Sequence, residues 1–143
     1  MKFFKINLAV IFVWIGFICA ISFMEAWLKF QAPGITLGMG LGIGKLVFGA
    51  MNKIEWLFAV IILFYIFQLK TLWTSKNIAF LVTLIILTLQ SFWLLPALGQ
   101  RADLIIEGNE PPKSPLHFYY IGAEVIKLGC LSFFGIKLLK LIK

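Results

Sequence analysis

Four apolar stretches, at residues 6–29, 46–69, 78–98 and 116–139, leave this chain few ways to fold. Each is close to the roughly 20 residues a helix needs to cross the hydrocarbon core of a bilayer. The connections between them are too short for a separate soluble domain. Of the 143 residues, 62% are hydrophobic and 13% are charged, where a soluble domain has close to half and about a quarter. Mean hydropathy is +1.00. So little charge cannot cover a water-facing surface. The expected fold is all-α: one integral membrane four-helix bundle occupying residues 1–143.

Lys2 and Lys5 precede the first stretch, as they would in a signal peptide. The run is longer than the roughly 7–15 apolar residues of a signal core, and no A-x-A site follows, so it is read as a span. Glu25 and Lys29 at its far end have the spacing and order of a helical ion pair. Pro33-Gly34 then breaks the helix. Gly38, Gly40, Gly42 and Gly44 alternate with Met39, Leu41 and Ile43. Each glycine costs a helix about 1 kcal/mol relative to alanine, so residues 31–44 are expected to form a Gly-rich outer loop over the mouth of the bundle. Gly44-Lys45 is no phosphate loop: Met39 stands where its first glycine belongs, and Leu46 replaces its Ser or Thr. Residues 99–115 read as the one strongly polar loop. Cys19 and Cys130 lie inside apolar runs and form no C-x-x-C; they read as small buried residues.

Charge orients the spans. With the N-terminus inside, the cytoplasmic side holds Lys2, Lys5, Lys70, Lys76, Lys137, Lys140 and Lys143 and no acid. All six acids fall in the outer half, with the other six cations. The net charge of +7 and the sequence pI near 9.6 are then explained by the positive-inside rule, and nucleic acid is excluded as a partner. The expectation is N-in/C-in, in a bacterial inner membrane.

His117, Tyr120, Glu124 and Lys127 step by three, four and three, which places them on one face of the last helix. Such a stripe must face protein or water, because intramembrane charge is costly in lipid. In the outer half of the other spans lie Glu25, Asn52, Glu55 and Gln90, with Arg101 in the polar loop. These groups are expected to converge on a polar pocket in the outer half of the bundle. Glu124, Glu55 and His117 are the candidates for acid–base work. Glu25, Asn52, Gln90, Arg101, Tyr120 and Lys127 are the candidates for binding. Glu55 and Glu124 are expected to share a proton or to be bridged by a cation. The competing reading makes Glu25–Lys29, Glu124–Lys127 and Asn52–Gln90 internal pairs that hold the helices together.

Asn52-Lys53-Ile54-Glu55 resembles the N-x-x-E of the membrane-associated enzymes of eicosanoid and glutathione metabolism, which are also small, basic and four-span. The resemblance covers those four residues, and the family's preceding arginine is missing from Leu46-Val47-Phe48-Gly49. It implies a four-span membrane enzyme as a minor alternative. The residues themselves fit a protein that binds or processes a lipid-like or amphipathic ligand, an accessory subunit of a larger membrane complex, or a small transporter. Membrane lipids are the expected partners, with a second copy or a membrane complex as further ones. One histidine, remote in sequence from both cysteines, argues against a metal site, and the residues name no cofactor.

Overall fold

The computed structural model describes residues 2–68 and 74–141, and among these there is no strand. Three helical stretches are long and apolar enough to cross a membrane: α1 (Phe4–Gln31), α2 (Leu37–Gln68) and α3 (Ser75–Ile106). A further helix, α4, spans Leu116–Leu139. Lys70 and Lys143, used above to orient the chain, lie outside the described residues, as does most of the turn between α2 and α3.

From Leu37 onward the expected Gly-rich loop is instead helix, and residues 32–36 remain a loop. α2 begins at Leu37 rather than at residue 46 and carries Gly38, Gly40, Gly42 and Gly44 within its first turns. Thr36 caps it, its hydroxyl oxygen accepting from Met39 N–H at 3.2 Å. The helix penalty of the glycines is offset by close packing. A Cβ on Gly40 would sit 2.1 Å from the Phe30 ring, and one on Gly44 would sit 3.0 Å from Lys29 Nζ. The strip lets the end of α1 lie directly against α2.

The polar loop is also shorter than expected, because α3 continues to Ile106. Gly108 then takes φ +87°. Its N–H bonds to the Ile105 carbonyl at 3.1 Å, and Asn109 N–H bonds to the Leu104 carbonyl at 2.9 Å. This is a Schellman stop, which requires the left-handed conformation that glycine adopts freely.

Two helices widen to π geometry, α1 over Ile18–Glu25 and α3 over Gln90–Leu94. In α3 the widening leads directly into Leu95-Pro96. Proline has no N–H for the carbonyl four residues back, and its ring crowds that carbonyl. The two halves of α3 consequently take different neighbours. Ser75–Leu89 packs on α4, whereas Leu95–Ile106 packs on α2. The departure of the second half from α4 leaves a space between the helix ends.

Below that level the core is tight. Ile11, Trp14, Ile18, Met51, Ala59, Ile62, Phe80, Leu87, Leu131 and Phe134 are buried together. Phe80 and Phe134 stack at 5.4 Å between centroids. The outside is apolar too, with Phe12, Leu57, Phe64, Phe67, Ile85, Phe92, Phe118 and Ile126 all exposed.

Candidate functional site

Ionisable groups meet inside the helices. Lys127 is fully buried on α4, and its Nζ lies 2.5 Å from Glu55 Oε1 of α2 and 2.9 Å from Glu124 Oε1 of its own helix. Lys127 also donates to Gln90 Oε1 of α3 at 2.7 Å. Gln90 in turn donates from Nε2 to Glu124 Oε1 at 2.7 Å. From α1, Trp14 Nε1–H donates to Glu55 Oε1 at 2.9 Å. All four helices therefore contribute to one network, in which Glu55, Gln90, Glu124 and Lys127 are each at most 1% exposed. A buried ion pair needs this density of hydrogen bonds to offset desolvation.

The network sits deeper than a pocket in the outer half. Glu55, Gln90 and Lys127 fall near the middle of Leu37–Gln68, Ser75–Ile106 and Leu116–Leu139 respectively. The expected single polar layer is in fact two tiers. The upper tier is a cavity of about 560 Å³ in the space opened by α3. Its walls are largely apolar, including Phe30, Leu41, Phe48, Leu95, Pro96 and Leu98. Lys29, Lys45, Asp103, His117 and Tyr120 are the ionisable residues lining it. Lys29 is paired with Glu25 at 3.2 Å and lies 5.4 Å from the centroids of both Phe30 and Phe48. Lys45 and Asp103 form a half-exposed pair at 2.6 Å across the rim.

Tyr120 joins the tiers. It lines the cavity, packs edge-on against Phe48 at 5.4 Å, and its hydroxyl faces the Glu124 carboxylate and the Ser22 hydroxyl. Of Trp14, Ser22, Glu55, Gln90, Tyr120, Glu124 and Lys127, Tyr120 alone lines the cavity.

The candidates named from sequence therefore part company. Glu55, Gln90, Tyr120, Glu124 and Lys127 are brought together, and the bridging cation between the carboxylates is Lys127 itself. His117 lines the cavity, about 10 Å along α4 from Glu124 at 1.5 Å per residue. Glu25 reaches the cavity only through Lys29. Asn52 belongs elsewhere: its Nδ2 and Trp56 Nε1 each donate to Ser91 Oγ at 2.9 Å. Asn52 and Glu55, the two outer residues of the N-x-x-E, thus serve separate networks. Arg101 is half-buried, and its neighbours Gln100 and Ala102 line the cavity in its place. Cys19 is exposed rather than buried, because Gly16 to Ala20 of α1 lies largely on the outer surface.

Sequence reasoning missed Trp14, whose indole needs a hydrogen-bond partner once buried. It also missed Asn7 and Asn77, each 2% exposed. They lie toward the opposite end of the helices, where Phe4 meets Tyr65. Polar residues are thus not confined to one half.

The fold and site define a class: an all-helical chain with three stretches long and apolar enough to cross a membrane, a buried ion network and a cavity above it. The chain matches no protein-family model, and no curated protein or solved structure is significantly similar to it.

Proposed function

We propose that this is an integral membrane protein whose four helices all cross the bilayer, and whose cavity receives an amphipathic, lipid-like molecule. The observation that carries the reading is the cavity. At about 560 Å³ it falls within the range of small-molecule sites. An apolar wall with ionisable groups at the rim suits a ligand with an apolar tail and a polar head. Its level supports the same conclusion. α2 and α3 have 32 residues each, about 48 Å at 1.5 Å per residue, against a hydrocarbon core of about 30 Å. A surplus of that size supports a cavity at the height of lipid headgroups.

Lipid as solvent also accounts for the apolar exterior. α4 fits as a fourth span, because it turns Glu124 and Lys127 inward and leaves Phe118, Val125, Ile126 and Ile136 outside. Lys5, Lys76, Lys137 and Lys140 gather at the end away from the cavity, which favours that end in the cytoplasm and the cavity facing out from the inner membrane of a bacterium.

Gly49 lines the cavity, and an added Cβ there would meet nothing within 4 Å. Gly49→Phe therefore puts a ring into the cavity without disturbing the backbone. Gly16→Phe, on the exposed side of α1, is the control. Native mass spectrometry of protein extracted in mild detergent should find a lipid-like adduct on the wild type and on Gly16→Phe, and none on Gly49→Phe. An adduct held equally by Gly49→Phe overturns the proposal.

A further inference from the structure

The ion network does not balance. Glu55 and Glu124 contribute two negative charges when ionised, and Lys127 contributes one positive charge, leaving a net charge of minus one. Among the described residues, no second cation is bonded to the network. α1 offers the neutral Trp14, with Ser22 beside Tyr120. α2 offers Glu55, α3 offers Gln90, and α4 offers Tyr120, Glu124 and Lys127. An unpaired charge sealed from water is strongly disfavoured. One atom marks the imbalance: among the described residues none donates to the buried Glu124 Oε2, whereas Oε1 of the same carboxylate accepts from both Lys127 and Gln90.

We propose that the network is a proton-binding site, holding one proton on Glu124 Oε2 and exchanging it with the cavity through the Tyr120 hydroxyl. The bound proton makes the network neutral. It also turns the orphan oxygen into a donor on the carboxylate that the Tyr120 side chain faces. In exchange, the Glu124 O–H bond breaks as Tyr120 oxygen takes the proton, and the proton of Tyr120 passes to water in the cavity. No other reagent is needed. The site requires an open cavity but no ligand in it, so it stands or falls apart from the lipid-like molecule.

Infrared spectroscopy of the purified protein, with and without ¹³C-labelled glutamate, reads the proton directly. At neutral pH the wild type should show one protonated-carboxyl C=O band that shifts with the label. Both Glu124→Gln and Glu55→Gln should abolish it, because a single remaining carboxylate balances Lys127. Either variant carries this arm if the other fails to fold. In D₂O the band should shift as the proton exchanges, and Tyr120→Phe should keep the band and slow the exchange at least tenfold. A wild type without the band, or a folded variant of Glu124 or Glu55 that retains it, overturns the proton site. An unchanged exchange rate in Tyr120→Phe overturns the route.

Discussion

Replacing Lys127 by methionine keeps the length of the side chain and removes its charge. The structure sets the cost. Lys127 Nζ holds Glu55 at 2.5 Å and Glu124 at 2.9 Å, and donates to Gln90 at 2.7 Å, all without solvent. Methionine leaves two carboxylates and an amide oxygen without that donor. Removing one member of a buried ion pair costs about 3–5 kcal/mol, a large share of a typical total stability of about 5–15 kcal/mol. Lys45 is the internal comparison. Its pair with Asp103 is shorter in sum, with Nζ at 2.7 and 2.6 Å from the two carboxylate oxygens, but both side chains are about half exposed. Exposed pairs are worth about 0–1 kcal/mol, so Lys45→Met should cost no more than that. Burial, not distance, separates the two. Reversible unfolding in mixed micelles titrated with dodecyl sulfate, followed by tryptophan fluorescence, measures both. Combining Lys127→Met with Glu55→Gln and Glu124→Gln removes every charge in the network and should recover most of the loss. If Lys127→Met loses no more stability than Lys45→Met, the network is not the buried, mutually dependent unit described above.

Four other outcomes are expected. Gly40→Leu drives a Cβ to 2.1 Å from the Phe30 ring and should cost about 1–3 kcal/mol as overpacking in the same unfolding assay. Gly122→Leu, with nothing within 4 Å of its Cβ, should cost nothing. Trp14→Phe keeps an aromatic ring and deletes the donor to Glu55; Glu55 Oε1 keeps Lys127, so the change should cost about 1.5–3 kcal/mol as one lost hydrogen bond to a charged group. A reporter active only outside the cytoplasm, fused after Lys143, should stay silent, and strong activity would reverse the proposed orientation.

The stripe on α4 was legible because helical periodicity is local. Tyr120, Glu124 and Lys127 had to share a face whatever they met. Their partners in Glu55 and Gln90 were legible for a different reason, since intramembrane polar groups have few places to go. Trp14 was not, because an indole inside an apolar run looks like any other apolar residue until its partner, 41 residues away, is known. The glycine strip was misread because propensity counts the helix penalty and cannot see Phe30 and Lys29 lying where side chains would be. The cavity was illegible for a related reason. It depends on α3 changing neighbours at Gln90–Leu94 and Pro96, and a proline signals a bend without saying which helix is left behind. The sequence placed the polar groups in one tier because depth was counted from the ends of the apolar runs. Both α2 and α3 extend past those ends.

A structure of the protein in lipid nanodiscs, determined without added ligand, tests the central claim most directly. Elongated density should occupy the cavity between Phe30, Phe48 and Leu98, with its polar end at Lys29 and His117 and its level at the headgroups. A nanodisc structure in which side chains close the cavity, or in which it lies outside the headgroup region, would contradict the account.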